Sequence, residues 1–250
     1  MLTIPPRLRR SAITEEQATV VGAVALLVQL CDLVGVDDLS RCDVLDVGCG
    51  VKFTQAILNH GIAIRSYTGV DVYGEMIDFL RENVRDPRFQ YHRVDVRNEL
   101  YNPAAPPMTP ETDLGVADRT FDVICLYSVF THLSPADYVT MLKILRRHVR
   151  PEGRLVYTLF VDELTDDGHG LVDFFQRTLS ERPSDQPSRA MATAVRQVEP
   201  FRDVDPSRPL TYALYSRDHA YELIDGTGWE PLQLVPPTEH AQHVFVCRAV

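Results

Sequence analysis

Apolar positions along the chain fall into two alternating patterns. Short apolar runs predict strands at Val44-Leu45-Asp46-Val47, at Tyr67–Val72, at Phe89–Val96, at Phe121–Tyr127 and at Arg154–Val161. The run from Phe121 is almost continuously apolar, as befits a parallel strand covered on both faces. Helical spacing intervenes over Phe53–Asn59, which Gly61 is placed to stop, and over Gly74–Val84, which ends at Asp86-Pro87. Ser134-Pro135-Ala136-Asp137 supplies a cap, a proline at the first position and an acid in the first turn, so a helix is expected from there to about Val149. Pro151-Glu152-Gly153 then reads as a turn. An earlier helix, over about 14–35, opens on Thr14-Glu15-Glu16-Gln17, a capping box. The order βαβαβ…βαβ predicts a doubly wound α/β fold, a mostly parallel sheet with helices on both faces.

Two stretches break this rhythm. Residues 97–120 carry Pro103, Pro106, Pro107 and Pro110 and read as a loop. From Asp162 to about Pro209 the only pattern is an amphipathic stretch at Leu171–Leu179, followed by five prolines. Regularity returns with a helix at Asp218–Asp225, a turn at Gly226-Thr227-Gly228 and strands near Leu232–Val235 and Val244–Cys247. The chain therefore divides into an N-terminal helical segment (1–36), a core (37–161), an inserted cap over a substrate (162–210) and a C-terminal completion of the core sheet (211–250). No internal repeat is visible.

Composition narrows the function classes. A formal net charge of −10 opposes a phosphate-tracking protein, and the arginines within 146–150 suit the end of the preceding helix. The five cysteines are scattered, with no CxxC or Cys/His spacing, so neither a disulfide framework nor a structural zinc site is expected, which suits a reducing cytoplasm. The run Val20–Val28 is too short to span a bilayer. Arg9 and Arg10 precede it, but Glu15 and Glu16 intervene and no cleavage site follows, so no targeting segment is read. No nucleic-acid or membrane partner and no metal ligand cluster is expected.

Candidate chemistry gathers at the carboxyl ends of successive strands, where open α/β sheets bind ligands. Asp46-Val47-Gly48-Cys49-Gly50 offers glycines that let backbone approach a ligand, or simply a tight turn into a helix. Asp71, 25 positions after Asp46, closes Thr68-Gly69-Val70-Asp71; with Val72 it suits a ribose, or else caps the next helix. Asp95, 24 positions further on, can accept an amino proton while the Val96 N–H donates to a ring nitrogen; a solvated strand end is the plain alternative. Ser128-Val129-Phe130-Thr131-His132 follows the fourth strand and brings Ser128 and His132 to the same edge.

Taken together these residues resemble the class I S-adenosylmethionine-dependent methyltransferase family, over about residues 40–161 and again over 212–250. The glycine signature is Val44-Leu45-Asp46-Val47-Gly48-Cys49-Gly50. The resemblance implies a seven-stranded Rossmann-like sheet whose last strand, here 244–247, is antiparallel. It further implies that Gly48 and Gly50 line the methionine portion of S-adenosylmethionine, Asp46 positions its ammonium, Asp71 holds the ribose, Asp95 and Val96 meet the adenine, and Ser128 borders the sulfonium. Lys52 stands where the family often has a third glycine; it meets the methionine carboxylate or points to solvent. NAD is the rival cofactor, but its fingerprint needs glycine where Phe53 stands.

In this family methyl transfer is an in-line displacement, and a hydroxyl acceptor calls for a base. His132 is the candidate, against a role in packing or capping; Tyr127 or an acid within 162–209 can serve instead. No Asp/Asn-Pro-Pro-Tyr/Phe follows the fourth strand and no Pro-Cys pair exists, which opposes methylation of DNA as the family performs it. The favoured acceptor is a hydroxyl on a sugar or secondary metabolite. A nitrogen or carbon centre, and an inactive adenosylmethionine-binding regulator, are the other readings.

Overall fold

The computed structural model describes residues 1–9, 16–98, 101–162, 200–205, 207–237 and 241–250. The amphipathic stretch at 171–179 lies outside them, as do Thr14 and Glu15 of the expected capping box. Helix α1 spans Glu16–Val34, and the core follows as β1 (Leu39–Val47), α2 (Lys52–His60), β2 (Ile64–Asp71), α3 (Gly74–Asn83), β3 (Phe89–Arg93), β4 (Phe121–Leu126), α4 (Pro135–Arg146) and β5 (Val149–Val161). The chain then forms β6 (Phe201–Asp203), β7 (Ala213–Tyr215), α5 (Arg217–Glu222), β8 (Trp229–Val235) and β9 (His243–Ala249). Among the described residues these strands form one mixed, mostly parallel sheet in the order β3-β2-β1-β4-β5-β7-β6, with β9 paired to β5 and to β8. The expected α/β fold is therefore observed, with more strands than seven. No described helix is long and apolar enough to cross a membrane.

The chain forms two compact units, and β5 contributes its first part, to Val156, to one and its remainder to the other. In the first unit β1 runs parallel to β2 and to β4, and β2 parallel to β3. Leu45, Phe121, Ile124 and Cys125 are fully buried, which accounts for their apolar runs. Tyr67, Phe89 and Tyr91 add an aromatic cluster with ring centroids 5.4–6.4 Å apart. Gly61 takes the left-handed conformation, φ 64°, and stops α2 as its sequence position predicts.

At the start of these strands lies a four-membered ion cluster. The Arg65 and Arg150 guanidinium groups each pair with both Asp43 and Asp122; Arg65 Nη2 lies 2.9 Å and Arg150 Nη2 2.6 Å from Asp43 Oδ2. Burial opposes ionisation of Asp43, yet hydrogen bonds from Ser66, Arg65 and Arg150 hold it down at about 2.

In the second unit Ser134 Oγ accepts the Asp137 N–H at 3.2 Å and donates to the Asp137 carboxylate at 2.7 Å, so the predicted start of α4 is built as read. Phe130, Tyr138, Tyr157, Tyr215 and Phe245 form a buried aromatic core. Its polar atoms are satisfied internally: the Tyr138 and Tyr157 hydroxyls meet at 2.6 Å, and Tyr215 Oη donates to the Leu133 carbonyl at 2.6 Å. The Trp229 indole N–H donates to the Leu142 carbonyl, fixing β8 against α4.

Several boundaries differ from expectation. The strand β1 begins at Leu39 rather than Val44, and β5 begins at Val149 and carries Pro151–Gly153 within it. The third strand ends at Arg93 and not at Val96. The stretch expected to be irregular to about Pro209 contains β6, and β7, to which β6 is antiparallel, follows it and runs parallel to β5.

Because the Asp43 carboxyl is lowered in the folded state, its pairing stabilises the protein above the ordinary carboxyl pKa of 3.8 and is lost as pH falls towards 2. Asp43→Asn is expected to lower unfolding free energy at pH 7 by roughly 2 kcal/mol, with the deficit shrinking towards pH 2. Urea titrations across that range check it; a deficit independent of pH would show that the pairing is not the cause.

Candidate functional site

The glycine turn after β1 is built to bend sharply. Gly48 and Gly50 have φ of 75° and 52°, a region that side-chain-bearing residues rarely occupy. Both the Gly48 and Cys49 N–H groups donate to the Val70 carbonyl, at 2.7 and 3.1 Å, which pins the turn to the end of β2. A Cβ placed on Gly50 would meet nothing within 4 Å, so there is open space beside the turn. Gly69 is the reverse case: a Cβ there would lie 2.8 Å from Cys49 Sγ and 2.9 Å from Tyr91 Cδ1.

Asp71 joins the turn to the next helix. It is buried, its Oδ2 accepts the Gly50 N–H at 3.1 Å and its Oδ1 accepts the Tyr73 N–H at 3.0 Å, just ahead of α3. One carboxylate thus serves the glycine turn and the helix entry together. Its carbonyl accepts the Val94 N–H at 3.1 Å, linking the ends of β2 and β3. Val72 follows, half-buried.

Asp46 is buried, 3% exposed, and accepts a 2.6 Å hydrogen bond from the Tyr67 hydroxyl. Burial pushes its carboxyl up to about 7; the Asp71 charge adds to this, while the Tyr67 and Cys125 hydrogen bonds oppose it. Lys52, the first residue of α2, is exposed, although the protein around its ammonium lowers its pKa from the usual lysine value.

Asp95 and Val96 lie beyond the last residue of β3, not on it, because the backbone there turns to a new partner. Asn102, from the following loop, donates through Nδ2 to Asp95 Oδ1 at 3.0 Å and to the Val96 carbonyl at 3.2 Å. The sequence offers no signal for Asn102, which sits among prolines and small residues.

Ser128 and His132 belong to the second unit. Ser128 is exposed and takes the left-handed conformation, φ 58°, held by its N–H on Thr158 Oγ1 at 2.7 Å and by its hydroxyl against the Gln242 amide at 3.0–3.1 Å. His132 ends a single 3-10 turn, Phe130–His132, with Nδ1 3.0 Å from the Leu210 carbonyl. A carbonyl only accepts, so Nδ1 carries the proton and Nε2 of the neutral ring is the basic nitrogen. Burial lowers the imidazole pKa; the Leu210 and Thr211 backbone contacts oppose this. Leu210 is itself held by its N–H on Asp203 Oδ2 at 2.9 Å. Neither Leu210 nor Gln242 was discernible as a partner from sequence, since each lies far along the chain from the residue it touches.

Residues 45–157 match the sequence family described as "Methyltransferase domain". The matched segment is less than half of the chain. The malonyl-[acyl-carrier protein] O-methyltransferase of Acetivibrio thermocellus is 26% identical over 92 residues, which are 37% of this chain and 30% of that protein. Among solved structures, CalO1, a methyltransferase in calicheamicin biosynthesis in its SAH-bound form, superimposes with a TM-score of 0.55 at 16% identity, over 92% of this chain and 54% of its own. A protein from Pyrococcus horikoshii OT3 gives 0.55 at 16% identity, over 99% of this chain and 97% of its own. The chain thus shares its fold with these structures, while the match spans less than two thirds of the A. thermocellus protein and of CalO1.

The raised Asp46 carboxyl costs stability once it ionises, so its cost is absent below about pH 4 and complete above about pH 7. In the ligand-free protein, Asp46→Asn is expected to gain on the wild type by roughly 2 kcal/mol between pH 5 and pH 8, whatever fixed offset the buried amide introduces. Urea denaturation at the two pH values measures the difference. An offset that stays constant would mean that Asp46 does not titrate in this range.

Proposed function

We propose that the protein is an S-adenosylmethionine-dependent methyltransferase of a small molecule, with a hydroxyl on a sugar or secondary metabolite as the acceptor. The observation that carries this reading is the buried Asp71 carboxylate, which grips the glycine turn with one oxygen and the entry of α3 with the other. A carboxylate oxygen can accept more than one hydrogen bond, so the same group suits a ribose hydroxyl.

The residues present fit the nucleoside. Open space beside Gly50 admits a ligand against bare backbone, and a buried acid whose ionisation is costly is suited to a cation that relieves the cost. Gly48, Gly50 and Asp46 hold the methionine portion, Asp71 with Val72 the ribose, and Asp95 with Val96 the adenine; Lys52 faces the carboxylate and Ser128 borders the sulfur. When bound, the cofactor supplies an electrophilic methyl group. His132 accepts the acceptor's hydroxyl proton at Nε2, the nitrogen that the Leu210 carbonyl leaves basic. The substrate cover expected over 162–210 lies mostly outside the described residues.

A nitrogenous or nucleic-acid substrate is less well supported. The relative described as an O-methyltransferase favours oxygen, and the net charge of −10 opposes a polyphosphate partner. The scattered free cysteines fit a cytoplasmic setting.

Calorimetry with S-adenosylhomocysteine tests the cofactor half of the proposal. Wild type is expected to bind, and Asp71→Ala to weaken binding at least about a hundredfold through the loss of two charge-assisted hydrogen bonds. Retained affinity in that variant would remove the basis of the reading. For the acceptor half, His132→Gln is expected to lower kcat by about 10²–10⁴-fold on a hydroxylated metabolite panel, with homocysteine-nucleoside affinity unchanged. Because its pKa is lowered, wild-type activity should hold through neutrality and fall only below the ordinary histidine range. A His132→Gln enzyme with undiminished kcat would assign the proton to another group.

A further inference from the structure

Asn102 is the side chain through which the loop after β3 reaches the adenine end of the site. Its Nδ2 donates to Asp95 Oδ1 at 3.0 Å and to the Val96 carbonyl at 3.2 Å, so one amide bridges the two residues assigned to the base. The loop holds Asn102 from both sides. Its N–H donates to the Asn98 carbonyl at 2.9 Å, its carbonyl accepts the Asn98 N–H at 3.1 Å, and the Arg97 N–H closes the loop on the Pro106 carbonyl at 2.7 Å.

Asp95 needs such a partner. Its side chain is 69% exposed, and a carboxylate so placed samples several rotamers in water unless it is held. Arg93 Nη2 is 3.9 Å away, also from Oδ1, and is too distant to fix an orientation by itself. Both contacts fall on Oδ1 and leave Oδ2 to accept from an incoming donor. Adenine offers an amine there, whereas hypoxanthine offers a carbonyl oxygen, which a carboxylate repels.

We propose that Asn102 is a specificity-determining positioning residue, orienting the Asp95 carboxylate and the Val96 peptide so that the site selects a 6-amino purine over a 6-oxo purine. This rests on the assignment of Asp95 and Val96 to the adenine under the proposed function. Asn102 acts through those two groups and not by touching the reacting atoms.

The test is calorimetric titration of the full chain with S-adenosylhomocysteine and with its deaminated analogue, S-inosylhomocysteine. Wild type should prefer the adenine form by about tenfold or more, the worth of one hydrogen bond to a charged group. Asn102→Ala should weaken the adenine form by about tenfold while leaving the inosine form nearly unchanged, so that the preference collapses. Asn102→Asp, which keeps the shape but sets a second carboxylate beside Asp95, should lose the preference too. Added to Asp95→Ala, the Asn102 substitution should change discrimination no further. Equal weakening of both ligands would mark Asn102 as a mere loop clip and overturn the proposal, as would an unaltered preference. Failure of wild type to bind either nucleoside would overturn the underlying assignment of the site as well, and so separates the two failures.

Discussion

The two oxygens of Asp71 hold backbone N–H groups from two different turns, Gly50 on one side and Tyr73 on the other. Backbone donors at such turns have no strand partner, and burying them without one is costly. One carboxylate answers both, while the Val70 carbonyl beside it takes the Gly48 and Cys49 N–H groups and the Asp71 carbonyl takes that of Val94. The glycine turn, the entry of α3 and the end of β3 are therefore hung on the last two residues of β2. Whatever ligand meets this edge meets a surface whose shape is already set.

The same strand shows how environment, not residue type, decides what a carboxylate does. Asp43 and Asp46 both lie on β1. The first is wrapped by two guanidinium groups and a serine, and sits at about 2. The second is sealed among Tyr67, Cys125 and the Asp71 charge, and sits at about 7. At the start of the strands, charge is neutralised within the protein and serves cohesion. At their ends, the Asp46 carboxyl is buried beside the Asp71 charge, and ionising it is costly.

Much of the fold was legible because its signals are local. Strand β4 announces itself by an apolar run broken only by Asp122, α4 by Ser134, Pro135 and Asp137, and the end of α2 by Gly61. Strands β6 and β7 were not legible, since three residues give no period and β7 gains its place only by pairing with Phe160 and Val161. The site divides along the same line. Asp46, Asp71 and the glycines follow from strand ends and turn chemistry. Tyr67, Asn102, Leu210 and Gln242, which meet Asp46, Asp95, His132 and Ser128, do not, because a hydrogen bond between residues apart in sequence leaves no mark on the pattern around either one. The third strand was read too long for a related reason: the alternation continues through Val96, but beyond Val94, whose N–H still reaches the Asp71 carbonyl, the contacts pass to the Asn102 side chain.

Gly69 and Cys49 bear on each other through space. The sulfur occupies the volume that any side chain at position 69 would need, and Tyr91 closes the remaining side. Bulk at these positions is thus a shared quantity: a side chain at position 69 requires both residue 49 and the Tyr91 ring to give way. The size of the middle residue of the Gly-Cys-Gly turn and the bareness of a strand position twenty residues away are therefore one constraint.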